Sequence, residues 1–447
     1  MIGWIFSPEG KYSSTYPTAV LMEEVERGEF LVGGDLLFQV QDVWYERLSF
    51  PGEDRLLAKG KSSNIYPEEV CYARLRILGK LIDGRLREFY GPVKPMIGLR
   101  RAIREEIEVL IGVENGIEIG RTVQGNVRML LDLKTVFRQG LIIFGSVGTG
   151  KTTTMLTILC RLLEALRKEG KRPRILVIDK DGEYGNIREC AENLEVSEPK
   201  FVNVLTPKWV KSLLGLKKGS KDLAMVIEVM KKAGARPIKR EELAQVVGDK
   251  ASVLPEEFYP RLTDELLEEY LKPGITLLSL KNCEDIRLCG IFIATLLREA
   301  YRRALEDENF GVLLVMDEVH LFFPEKDGAK IFPDDVQKEL KEILILLATT
   351  GARNGITIFA STQRPSLVGK ALTTQLGLNV ISHRVADIDI ARIAEIMGGG
   401  AAQMVRNLQR GSALVVTSSM RIPVPLRVRI EKIVEPLSAG KTAYQRW

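Results

Sequence analysis

The residues with the clearest chemical promise form one unbroken run: Gly145, Ser146, Val147, Gly148, Thr149, Gly150, Lys151, Thr152 and Thr153. Its G-x-x-x-x-G-K-T spacing is complete, and glycines at the first, fourth and sixth places let the backbone turn its amides inward around an anion. Lys151 is spaced to reach the β- and γ-phosphates of a nucleotide, and the Thr152 hydroxyl to ligate Mg²⁺. Ahead of the run, Leu141 to Phe144 has the continuous apolar character of a buried parallel strand. Behind it, Met155 to Glu169 reads as a helix whose positive end would face the same anion. A glycine-rich turn formed by chance would lack both flanks, so ATP and Mg²⁺ are the expected ligands.

A second chemical anchor lies far downstream. Val312 to Met316 is an apolar strand, and Asp317 and Glu318 emerge at its end. Asp317 would hold the metal through water, and Glu318 would orient and deprotonate the water that attacks the γ-phosphate. Such a pair favours a hydrolase over a kinase. Ile356 to Ala360 is another apolar strand, and Gln363 just beyond it could sense the γ-phosphate or position its water; a turn nucleated by Arg364-Pro365 is the alternative. Arg353, between Gly351 and Gly355, could neutralise transition-state charge on a neighbouring subunit's nucleotide, or be solvated as most loop arginines are. Asp179, Asp181 and Glu183 follow the strand from Arg174, where ligands sit in open parallel sheets. Each lies near the nucleotide or merely turns the chain into the next element. His320 is expected to pack or hydrogen-bond rather than to ligate.

These groups require a frame. At 447 residues with 45% hydrophobic side chains, the chain can build two or three packed domains. Turn signals at Gly33-Gly34, Pro51-Gly52 and Asp83-Gly84 divide residues 1–95 into short alternating strands, predicting a β-barrel or small sandwich. There Arg74, Arg76, Arg85 and Arg87 are either a nucleic-acid contact or a solvated strand face. An α/β ATPase core with a mostly parallel sheet is expected over 96–207 and 273–410, interrupted by a charged helical insertion at 208–272. A β-rich tail or brace follows at 411–447. The net charge of +5 permits nucleic-acid binding without arguing for it. Five scattered cysteines without a C-x-x-C pair predict reduced thiols, and no apolar run reaches the roughly 18 residues of a membrane span. A soluble, cytoplasmic protein is the simplest expectation.

Taken in order, the motifs resemble those of the HerA family of DNA-translocating ATPases, in the HerA/FtsK branch of P-loop NTPases. The resemblance rests on Ile119-Gly120, Gly145 to Thr152, Asp179-Lys-Asp-Gly-Glu-Tyr184, Asp317-Glu-Val-His320 and Ser361-Thr-Gln-Arg-Pro-Ser366. Thr362 stands within the last of these, where the family places Ser directly before Gln. The resemblance implies a RecA-like core in which Lys151 and Thr152 bind ATP and Mg²⁺. Asp317 would help hold the metal, Glu318 would be the base, Gln363 the polar sensor, and Arg353 would act on the adjacent subunit. It also implies a homo-hexameric ring that threads double-stranded DNA, commonly with a NurA-like nuclease in DNA end processing. Two rival functions share the nucleotide motifs: a protein-transporting motor akin to type IV secretion ATPases, and a nucleotide-gated scaffold for a nuclease. The Asp317-Glu318 pair argues against the scaffold, and the N-terminal barrel leans toward DNA.

Overall fold

The computed structural model describes residues 1–6, 16–47, 69–325 and 330–437, so the Pro51-Gly52 turn signal and the tail beyond 437 lie outside the described residues. The chain divides into two compact units, residues 1–132 with 390–430 and residues 133–389 with 431–447.

In the first unit, alternation of apolar and polar residues produces strands with one buried face. Six of them close into an antiparallel barrel in the order Thr18–Leu21, Gly3–Ile5, Gly98–Arg101, Phe30–Gly33, Leu36–Arg47 and Glu69–Ile82, the last pairing back to the first. Closure leaves no open edge. Register shifts at Leu37/Phe38 and Val40/Asp42 bend the two long strands. Phe38, Val40, Ala73 and Leu75 fill the interior. Arg74, Arg85 and Arg87 are exposed on the other face. The Asp83-Gly84 turn joins Glu69–Ile82 to Arg85–Arg87 with φ of 49° and 68°, the left-handed pair that a two-residue hairpin requires. The strand Gly98–Arg101 carries the barrel past residue 95. The unit also holds an antiparallel set ordered Ser412–Thr417, Leu426–Ile430, Ile117–Thr122 and Arg128–Leu131.

The second unit is built on parallel strands whose continuous apolar runs are buried on both faces. Their order is Val196–Ser197, Gly274–Ser279, Arg174–Asp179, Val312–Met316, Ile356–Thr362, Leu141–Phe144 and Asn379–Ser382. The helices Lys151–Lys168, Ile286–Glu306 and Asp334–Thr350 bury apolar stripes beside them. Ile286–Glu306 starts where the Asp285 carboxylate accepts the Arg287 and Leu288 N–H groups at 2.8 and 3.1 Å, satisfying two donors that have no partner within the helix. Between residues 207 and 271 come four helices and the two-stranded pair Ile238–Lys239 and Glu257–Phe258. Among the described residues no helix is long and apolar enough to cross a membrane.

The cysteines depart from the expectation of reduced thiols. Cys160 is bonded to Cys190 across Cα atoms 5.3 Å apart, Cys283 to Cys289 across 6.2 Å, and Cys71 alone is a buried free thiol. Sequence spacing carries no signal for the first pair, because 30 residues separate cysteines that only the packing of the Lys151–Lys168 helix against the Gly185–Glu189 turn brings together.

Candidate nucleotide site

The order of the strands decides which side chains meet. The phosphate-loop strand Leu141–Phe144 and the acid-bearing strand Val312–Met316 are not neighbours, since Ile356–Thr362 lies between them and pairs with both. All three run in the same direction, so their carboxyl ends deliver the loop from Gly145, the Asp317-Glu318 pair and Gln363 to one edge of the sheet.

The loop is shaped from below. Gly145 N–H donates to Thr362 O at 3.2 Å, Ser146 N–H to Arg384 O at 2.8 Å, and the Thr149 hydroxyl to Ser146 O at 2.8 Å. A Cβ at Gly145 would come within 2.6 Å of Thr149 Oγ1 and 2.7 Å of His383 Cβ, so the tight floor excludes any other residue. Gly150 adopts φ 119°, which L side chains rarely reach, and leads directly into the helix. His383 Nε2 lies 2.8 Å from the Thr154 hydroxyl and packs beneath that turn. Val147 and Gly148 form the exposed crest, whereas Thr149 and Lys151 are buried.

Lys151 Nζ stands 3.7 Å from Glu318 Oε1, both side chains less than a tenth exposed. Glu318 itself has φ 50° and ψ 49°, a left-handed conformation that turns its carboxylate back across the site. Three groups hold it there: Lys151, His320 Nδ1 at 3.1 Å from Oε2, and the Gln363 backbone N–H, which donates to Oε2 at 2.9 Å. Thr362 anchors the arrangement, its Oγ1 lying 2.9 Å from His320 Nδ1 and accepting the Arg364 N–H at 3.0 Å. Gln363 thus meets the acid through its main chain, and its side chain is half-buried at the edge of the site.

The two carboxyls are driven apart. Burial pushes Asp317 up to about 7, with the adjacent Glu318 charge adding to the effect and the hydrogen bond from the Ser361 hydroxyl, 2.7 Å, opposing it. Burial pushes Glu318 upward too, but the hydrogen bond to His320, the Lys151 charge and the Gln363 N–H outweigh it, leaving its carboxyl below the ordinary range. Asp179, also raised by burial, is partly offset by backbone donors of its own turn. Thr152 directs its hydroxyl to Glu183 Oε2 at 2.7 Å.

A divalent cation fits the chemistry here. Thr152 and Asp317 offer oxygen alone, which suits a hard cation such as Mg²⁺. Among the described residues no group of three or more His, Cys, Asp or Glu could hold a metal unaided. Any Mg²⁺ would come with the phosphates of its nucleotide, its usual mode of binding. Arg353 is not at this site. It is exposed in the Gly351–Asn354 turn at the amino end of Ile356–Thr362, a strand length of about 20 Å from the phosphate loop of its own chain.

Residues 117–281 match the family model described as Helicase HerA, central domain. No curated protein matches the chain. Among solved structures, VirB4 of Thermoanaerobacter pseudethanolicus is similar at 17% identity and TM-score 0.47, over 75% of this chain and 100% of that one. The bacterial conjugative coupling protein TrwBdeltaN70 is similar at 12% identity and TM-score 0.46, over 75% and 93%. The genome packaging NTPase B204 of Sulfolobus turreted icosahedral virus 2, in complex with ATP-gammaS, gives 14% identity and TM-score 0.33, over 65% and 97%. The chain thus carries a complete phosphate loop and an acid pair two strands away, and its residues 117–281 are similar to the central domain of the HerA helicases.

Proposed function

We propose that the chain hydrolyses ATP with Mg²⁺ and uses the energy to translocate double-stranded DNA as a homo-hexameric ring, working with a NurA-like nuclease in DNA end processing. The observation that carries the hydrolytic reading is the ionised Glu318 carboxylate, held by Lys151, His320 and the Gln363 N–H at the edge where the phosphate loop ends. Lys151 and the loop amides bind the triphosphate, and Mg²⁺ when bound offsets the charge that develops on its oxygens. As Lys151 turns toward the γ-phosphate it releases one hold on Glu318, which then aligns a water and takes its proton. Gln363, whose main chain already touches the base, reports the state of the γ-phosphate to the strand that bears it. Arg353 is a strand length from its own nucleotide, so it can complete only the site of a neighbouring subunit.

The family match supports the ATPase part of this reading, and the DNA part rests on that family's activity. Both are tested by steady-state ATPase activity with and without linear double-stranded DNA across a salt series, with Lys151→Ala as the blank. Stimulation that fades as salt rises is expected from contacts with backbone phosphates. Turnover indifferent to DNA would reject the DNA motor in favour of a protein substrate.

A further inference from the structure

We propose that Glu183 is a positioning residue for the metal side of the nucleotide site, orienting the Thr152 hydroxyl; this rests on the ATPase reading above. Thr152 Oγ1 donates to Glu183 Oε2 at 2.7 Å. A hydroxyl that ligates a cation does so through a lone pair, and its proton must be directed elsewhere. A carboxylate that takes that proton fixes the rotor and turns the lone pair to the cation, the part that outer carboxylates play around metal ligands in general.

Glu183 is built into place rather than merely nearby. Asp179 Oδ1 accepts the N–H groups of Asp181 and Gly182 at 3.2 and 2.7 Å, and its Oδ2 accepts that of Tyr184 at 3.0 Å, so one buried carboxyl folds the whole turn. Tyr184, next in sequence, is fully buried and locks the far side. From outside, the Glu183 carbonyl accepts the Leu437 N–H at 2.9 Å, and Asn186 Nδ2 donates to Glu435 O at 3.0 Å. These residues belong to a strap, 431–437, that is also tied to the Thr152-bearing helix where the Thr157 hydroxyl donates to Glu431 O at 2.8 Å. Helix, turn and strap therefore hold donor and acceptor at a fixed separation. Asp317, by contrast, accepts from Ser361.

The test follows binding of a fluorescent ATP analogue by anisotropy, in EDTA and across a Mg²⁺ series, in the full chain and in Glu183→Ala, Glu183→Gln, Thr152→Val and the Thr152→Val/Glu183→Ala double variant. Glu183→Ala is expected to raise the Mg²⁺ concentration for half-saturation about 10- to 100-fold while leaving the affinity in EDTA unchanged. Glu183→Gln keeps an oxygen that accepts the hydroxyl proton, so it should lose less. Thr152→Val should resemble Glu183→Ala, and the double variant should add nothing to either, because one interaction is being removed twice. An unchanged Mg²⁺ midpoint in Glu183→Ala, an equal loss in EDTA, or additive losses in the double variant would overturn the assignment. Wild-type protein whose nucleotide binding ignores Mg²⁺ would reject the ATPase reading itself. A Mg²⁺-dependent wild type with an indifferent Glu183→Ala would reject the role of Glu183 alone.

Discussion

Asp317 and Glu318 are neighbours in sequence with opposite acid–base character, and the division of labour follows from what surrounds each. Glu318 keeps its charge through Lys151, His320 and the Gln363 N–H, so it is an acceptor throughout the neutral range. Glu318→Gln should preserve nucleotide binding and slow turnover by about 10²- to 10⁴-fold, the usual contribution of a general base. Retained turnover in a single-turnover assay would remove Glu318 from that role. Asp317, pushed up to about 7, holds a proton in the folded protein that the unfolded chain gives up near pH ~4. The folded state therefore binds more protons between about pH 4 and 7, and this group makes stability fall as pH rises through that window and level off above it. Asp317→Asn in the unliganded protein should flatten that part of the profile and melt above the wild type at pH 8. Calorimetric profiles that run parallel between pH 5 and 8 would show that the carboxyl is not held protonated.

The elements carry consequences that no single side chain explains. Thr362 ends the strand lying between the phosphate loop and the acids, and joins His320 to the Arg364 N–H. Thr362→Val keeps the strand's shape but removes those contacts, so it should lower kcat more than it raises KM for ATP, at a stability cost of about 1 kcal/mol. A change in KM alone would reduce Thr362 to a strand residue. The Cys160–Cys190 bond staples the helix Lys151–Lys168 to the turn following Glu183. Cys190→Ser should cost about 3–4 kcal/mol under oxidising conditions and nothing in reductant, as the chain-entropy account of a loop this long gives; equal melting in both conditions would show the bond absent in solution. This scale also marks the limit of sequence reading. Gly145 to Thr152 and Asp317-Glu318 were legible because each motif is contiguous and preceded by an apolar strand. The interposition of Ile356–Thr362, the 31-residue reach from Thr152 to Glu183 and the pairing of Cys160 with Cys190 arise from tertiary packing, which no local pattern encodes. The barrel's alternation was readable too, but its closure through Gly98–Arg101 depends on a pairing between strands far apart in the chain.

For the whole molecule, the proposed role of Arg353 has a consequence for assembly. If it serves a nucleotide as proposed, an arginine about 20 Å from its own phosphate loop must do so in another copy. Arg353→Ala should bind nucleotide normally and fail to turn it over, and mixing it with Lys151→Ala should restore activity where an intact loop meets an intact arginine. Mixtures as inactive as their parents would remove the arginine from the reaction. The left-handed backbone at Glu318 reaches the whole molecule in a different way. Holding a non-glycine residue in that conformation costs about 1–2 kcal/mol, a noticeable part of the 5–15 kcal/mol by which a protein is stable. Glycine or asparagine would relieve it. A library ranked by heat resistance alone would thus enrich substitutions at this position, and its most robust survivors would be proteins that hold ATP indefinitely.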